Sequence, residues 1–128
     1  MTRILVADDS EAVRRGIRHL LNQHDGWQVC GEAADGGETI TKVRQLAPDV
    51  VVLDFAMPVM NGIEVARQIR EEQPNIPIVL CSLYFDRQLA SLARDVGITS
   101  VLSKSNVRQV IKGVEAGLRG EWFTESQV

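Results

Sequence analysis

Five short apolar runs, at residues 4–7, 27–30, 50–53, 78–81 and 98–102, alternate with stretches whose apolar residues recur at helical spacing. The helical stretches are carried by Val13, Ile17, Leu20 and Leu21; Ile40, Val43 and Leu46; Ile63, Ala66 and Ile69; Leu89, Leu92, Ala93 and Val96; and Val107, Val110, Ile111, Val114 and Leu118. Near-continuous apolar strands have no polar face to show to water, so both faces of their sheet must be covered. Alternating such strands with amphipathic helices predicts an α/β domain with a parallel sheet, doubly wound by right-handed crossovers. Turn residues mark the breaks: Asp25-Gly26, Asp35-Gly36-Gly37, Pro48, Asn61-Gly62, Pro74 through Pro77, and Gly97. The 128 residues, 45% of them hydrophobic, suffice for one core.

Charge and cysteine usage narrow the classes further. A net charge of −3 and a pI near 5.4 oppose direct binding to nucleic acid, which needs a basic surface to displace phosphate counterions. Cys30 and Cys81 fit no metal-ligand or CxxC spacing and are expected to be reduced, buried thiols. With no apolar stretch of membrane-spanning length and no signal-peptide core, the expectation is a soluble, cytoplasmic protein without a membrane partner.

In open α/β sheets, ligands bind outside the carboxyl ends of the strands, where the strand order reverses. The first strand runs into Asp8-Asp9, the third into Asp54, the fourth into Ser82 and the fifth into Ser103-Lys104; the second, ending at Gly31-Glu32, says less. If the first, third, fourth and fifth strands adjoin, three carboxylates, a hydroxyl and an ammonium converge on one edge. Crowded carboxylates need a cation or must take up protons. Oxygen ligands without His or Cys suit Mg²⁺. A carboxylate can attack phosphorus to form an acyl phosphate. Lys104 and Ser82 have the chemistry to neutralise the phosphoryl oxygens during such a transfer.

Together, "ILVADDSEAVR", "PDVVVLDFAMPVMNGIEVARQIR", "PIVLCS" and "SVLSKS" resemble the receiver domain of two-component response regulators over nearly the whole chain. The resemblance implies the flavodoxin-like (βα)5 fold, a five-stranded parallel sheet of order 2-1-3-4-5. It implies Asp54 as phosphoacceptor, Asp8 and Asp9 as the acidic pair at a Mg²⁺ site, and the backbone carbonyl of Ala56 as a further metal ligand. Ser82 matches the switch hydroxyl and Lys104 the phosphate-pairing lysine. The implied donor is the phosphohistidine of a sensor histidine kinase. The implied outcome is a self-catalysed switch rather than a turnover enzyme, with a phosphorylation-dependent homodimer as one output. The tail "VEAGLRGEWFTESQV" resembles receivers of the NarL/FixJ type, in which a LuxR-type helix-turn-helix domain usually follows. On that reading residues 1–120 are the receiver, 121–128 begin a linker, and DNA is met only through the C-terminal domain.

Several positions also have plainer readings. Asp8-Asp9 alone would be a helix N-terminal cap, Ser82 a strand-end hydroxyl, and Lys104 a solvated loop lysine. His19 and His24 are expected at the surface or a boundary, and Trp122 and Phe123 either dock a partner or cover the sheet edge. Two features depart from the family's pattern. Val101 stands three residues before Lys104, where many members carry the aromatic ring that rotates on switching; valine has no ring and is stiff at χ1. Smaller rearrangements, or Tyr84 in the loop after the fourth strand, are the candidate substitutes for that ring. Ser105 follows the lysine where many members have a cis-proline, a proline that NarL/FixJ-type members often lack too. The rival function is an interaction module that keeps the acidic pocket but does not depend on phosphorylation. An aspartyl-type hydrolase is disfavoured because Ala56 stands where the second acid commonly lies.

Overall fold

A computed structural model describes residues 1–125. Strands β1 (Thr2–Ala7), β2 (Trp27–Ala33), β3 (Val50–Asp54), β4 (Ile78–Ser82) and β5 (Ser100–Ser103) alternate with helices α1 (Glu11–Asn22), α2 (Gly36–Leu46), α3 (Gly62–Glu72), α4 (Arg87–Asp95) and α5 (Gln109–Leu118). A two-residue strand, β6 (Phe123–Thr124), follows. All neighbours pair in parallel, in the order β2-β1-β3-β4-β5-β6.

The first five strands stand in the expected order, and a short sixth strand extends the sheet. The sheet has six strands rather than five, and packed structure continues beyond residue 120: Ser100 pairs with Phe123, and Val101 with Thr124. A two-residue strand leaves no alternation to read in sequence, so this segment reads there as linker. Residues 126–128 of the expected linker lie outside the described residues.

Every residue of β3 and β4 is buried, as near-continuous apolar strands require when both faces are covered. On one face Leu5, Val51, Leu53 and Leu80 pack with Ile40 and Val43 of α2, Ile63, Ala66 and Ile69 of α3, and Leu89 and Ala93 of α4. On the other, Ile4, Val6, Val52 and Val79 pack with Ile17 and Leu21 of α1 and Val110 and Val114 of α5. Each fully buried Val, Leu or Ile contributes roughly 1.5–3 kcal/mol. Cys81 belongs to the second face as a buried thiol, whereas Cys30 on edge strand β2 is only half-buried. There the register slips, Ile4 pairing with Val29 but Leu5 with Gly31, so Cys30 occupies a bulge.

Four helices begin with a side-chain cap directly after the functional loops. Ser10, Asp35, Asn61 and Asp86 accept the backbone N–H groups of Val13, Glu38, Glu64 and Leu89, and Glu64 returns a bond to Asn61. Each such cap is worth about 1 kcal/mol. They fix where the β1–α1, β3–α3 and β4–α4 loops end, and so how the strand-end residues project.

Val59, in the β3–α3 loop, is fully exposed and has φ of +70°. A β-branched side chain in the left-handed region is strained by about 1–2 kcal/mol, whereas asparagine tolerates that conformation. Val59→Asn is therefore expected to stabilise the fold by about 1 kcal/mol, read as a higher urea midpoint.

Candidate functional site

From the central pair β1 and β3 the chain leads outward in opposite directions, to β2 on one side and β4 on the other. The crevice at their carboxyl ends holds Asp8, just beyond β1, and Asp54, the last residue of β3; β5 delivers Lys104 to the same edge. Asp8 and Asp54 are buried, at 1% and 2% exposure, while Asp9 faces solvent. One carboxylate oxygen from each of the three lies within 4.8 Å of the others.

Lys104 bridges the two buried acids, its Nζ 2.9 Å from Asp8 Oδ2 and 3.2 Å from Asp54 Oδ1. Asp8 Oδ1 accepts the Ser10 N–H at 2.8 Å, so both oxygens of Asp8 are engaged. Asp54 Oδ1 also accepts the Ala56 N–H at 3.2 Å, but buried Asp54 Oδ2 has no partner. Leaving a buried acceptor unsatisfied costs about 1–3 kcal/mol, more when it is charged. Asp54 Oδ2 is the one oxygen of the two buried acids without a hydrogen-bond partner.

The electrostatics agree. Burial first, then the charge of Asp8, pushes the Asp54 carboxyl up from 3.8 to about 6, with Lys104 and the Ala56 N–H pulling it back. Burial disfavours the Lys104 ammonium, yet its bonds and charge contacts with Asp8 and Asp54 outweigh that and raise its pKa. Burial likewise pushes the Cys81 thiol up to about 12, leaving it an inert core group. One lysine does not neutralise three carboxylates. An all-oxygen donor set with a surplus of negative charge and an open oxygen fits a hard divalent cation.

Other expected positions are placed less directly. Ser82 is buried at the end of β4, but its hydroxyl is spent on Tyr84, accepting that residue's N–H at 3.2 Å and donating to its carbonyl at 3.1 Å. Ala56 lies in the loop beside Asp54, and the bond it makes there is through its N–H. Val101 is fully buried, and Tyr84 is 85% exposed, so no tyrosine ring fills the space around Val101. His19 is exposed, and His24 stacks on Trp27 at 3.6 Å. Trp122 packs against the α2–α4 side of the core and Phe123 against the α1–α5 side.

Sequence reasoning missed Arg14. Its Nη1 donates to the Asp8 carbonyl at 2.7 Å and its Nε pairs with Glu32 at 3.2 Å, tying the Asp8-Asp9 turn to the end of β2. Arg18 holds the second Glu32 oxygen at 2.6 Å. A partner 18 positions away in another element leaves no local pattern; only Arg14's position one turn beyond the Ser10 cap hints that it points back at the loop. Gly62 is the other hidden contributor. A Cβ there would lie 2.6 Å from the Asp54 carbonyl oxygen, 2.6 Å from Leu80 Cδ1 and 2.9 Å from Phe55 Cα. Gly62→Ala is expected to destabilise the fold by about 1–3 kcal/mol, seen as a lower urea midpoint, because two of these neighbours are backbone.

The comparisons with known proteins point the same way. The chain is 30% identical over 129 residues to response regulator GacA of Pseudomonas viridiflava, and 32% identical over 127 residues to response regulator protein VraR of Staphylococcus aureus. These alignments cover 100% and 98% of this chain but only 60% and 61% of the relatives, so the chain spans about three-fifths of their length. Among solved structures, a LuxR-family two-component response regulator from Aurantimonas sp. SI85-9A1 superposes with a TM-score of 0.91 at 33% identity, over 96% of this chain and 89% of that one. The sequence pattern described as the response regulator receiver domain matches residues 4–115, and with the crevice just described it establishes that the chain belongs to the response regulator receiver domain family.

Proposed function

We propose that the protein is a phosphoacceptor switch in which Asp54 takes a phosphoryl group from the phosphohistidine of a sensor histidine kinase. The observation that carries this reading is the buried, unpartnered Asp54 Oδ2 beside an acidic pair and a lysine. Asp8, Asp9, Asp54 and the Ala56 carbonyl would hold Mg²⁺, which supplies positive charge to the phosphoryl oxygens when bound. An Asp54 oxygen forms the new bond to phosphorus as the bond to the donor breaks and the donor leaves with the electron pair. Lys104, already on Asp54 Oδ1, is placed to follow the negative charge onto the phosphoryl group. The domain catalyses its own modification and its slow reversal, without turnover of a substrate.

The similarity to a LuxR-family regulator supports a DNA-binding output carried by another domain, and a phosphorylation-dependent homodimer is one means of driving it. The acidic chain itself has no basic surplus with which to hold DNA. No helix among the described residues is long and apolar enough to cross a membrane, and we place the protein in the cytoplasm, where a kinase's phosphohistidine is available. A second reading, an interaction module independent of phosphorylation, is favoured by Val101 in place of a ring and by the Ser82 hydroxyl being spent on Tyr84. Incubation with acetyl phosphate decides between them. A mass gain of one phosphoryl group that requires Mg²⁺ is expected. If the wild-type chain gains no mass with Mg²⁺ present, the phosphoacceptor reading is wrong.

A further inference from the structure

The chain that carries Lys104 out of β5 runs Ser103-Lys104-Ser105-Asn106, with no proline to stiffen it. Serine hydroxyls at such a point can bond to nearby backbone amides and set a turn of their own. Ser103 does so across Lys104. Its Oγ accepts the Ser105 N–H at 3.2 Å and lies 2.6 Å from the Ser105 Oγ, and its carbonyl accepts the Asn106 N–H at 3.2 Å. Its own N–H donates to Glu125 Oε1 at 2.9 Å, and Ser103 pairs with Ser82 across β4 and β5. Every polar group of Ser103 is therefore engaged. The Lys104 N–H donates to the Ser82 carbonyl at 2.8 Å. The lysine backbone is thus held by the sheet on one side and by the Ser103 turn on the other.

We propose that Ser103 is a positioning residue for Lys104: its hydroxyl closes the turn across Lys104 and keeps that backbone still while the ammonium passes from the two acids to a phosphoryl group on Asp54. The proposal rests on the phosphoacceptor reading and adds to it a residue that acts on the site only through its neighbour. A lysine stem is long and flexible, so where its ammonium can go depends on where its backbone is fixed. The Lys104 Nζ must meet Asp8 Oδ2 at 2.9 Å and Asp54 Oδ1 at 3.2 Å and then follow charge onto phosphoryl oxygens beside them. With the backbone clamped, that move is a swing of the side chain alone. With the clamp gone, the turn can relax and draw the ammonium off the acids, and the cation reaches the developing charge less often.

The test joins two measurements on the 128-residue chain. The first is the rate of Mg²⁺-dependent labelling by acetyl phosphate as a function of donor concentration. The second needs neither metal nor donor: Lys104 competes with the exposed Lys112 of α5 for a trace of acetic anhydride, read by peptide mass. In Ser103→Ala the maximal labelling rate is expected to fall roughly fivefold with the half-saturating donor concentration unchanged. In the same variant Lys104 should be acetylated roughly fivefold faster relative to Lys112. Ser103→Thr keeps the hydroxyl and should match wild type in both readouts, whereas Ser103→Val, of threonine's shape without the hydroxyl, should match Ser103→Ala. Wild-type Lys104 reactivity in Ser103→Ala, or a threonine variant that behaves as the alanine one, overturns the positioning role. A shifted reactivity beside an unchanged labelling rate overturns its part in the reaction. A wild-type chain that takes no label, while Ser103→Ala still exposes Lys104, overturns the phosphoacceptor reading and upholds the clamp.

Discussion

Asp54→Asn is expected to abolish labelling by acetyl phosphate and, at the same time, to make the metal-free protein more stable at neutral pH. The first effect follows from chemistry: an amide oxygen is too weak a nucleophile to replace the carboxylate, and among the described residues no other buried acid has an oxygen without a partner. Asp8 has both of its oxygens committed, to Ser10 and Lys104. The second follows from electrostatics. The folded state holds Asp54 among burial and the charge of Asp8, both of which oppose its ionisation. An asparagine of the same shape removes that penalty and keeps an acceptor for the Ala56 N–H and the Lys104 ammonium. The gain is on the order of 2 kcal/mol, read from urea unfolding at pH 7.5 without metal. A variant that loses labelling but is less stable than wild type would show that the Asp54 charge supports the fold rather than straining it.

The same penalty gives the metal-free protein a pH dependence opposite to that of a salt-bridged carboxylate. Unfolded, Asp54 titrates near its ordinary value of 3.8; folded, it titrates at about 6. Between these values the folded chain keeps a proton that the unfolded chain has released, so stability falls as pH rises through this window and levels off above it. Two pK units correspond to about 2.7 kcal/mol. Other carboxylates titrate over the same range, so the measurement is the difference between wild type and Asp54→Asn, which should open between pH 4 and pH 6.5. Mg²⁺ should close it. At a hundred times its dissociation constant a cation adds about 2.7 kcal/mol of stability, or a rise of roughly 4–10 °C in Tm at pH 8. At pH 4.5, where the folded state keeps Asp54 protonated, the shift should nearly vanish. A Tm that responds to Mg²⁺ equally at both pH values would place the cation away from Asp54.

These expectations were largely readable from the chain because the site residues sit where apolar runs stop. Asp8, Asp54, Ser82 and Lys104 are each the first polar interruption, or within one residue of it, at the end of a buried strand, and strand ends in a parallel sheet lie side by side. The parts that escaped notice depend on contacts between elements. The Arg14–Glu32 pair joins α1 to β2, the Ser82 hydroxyl turns towards Tyr84, and the Cys30 bulge exists only against β1. Ala56 and Tyr84 were named from family resemblance, and the fold places one beside Asp54 and leaves the other in solvent. Residues 121–125 read as linker because their charges and aromatics carry no periodicity, whereas their backbone and side-chain partners lie at Ala116 in α5, at Thr99 just before β5, and at Val101 and Ser103 on β5.

The short β6 has a practical consequence for the solution behaviour of shortened chains. Without it, β5 presents its outer amides and carbonyls as a bare edge, and an unpaired strand edge recruits strands from other molecules. A chain trimmed after residue 120 keeps every residue of the acidic crevice and yet acquires a sticky flank. Its association with copies of itself would then be an artefact of trimming, easily mistaken for a regulated assembly.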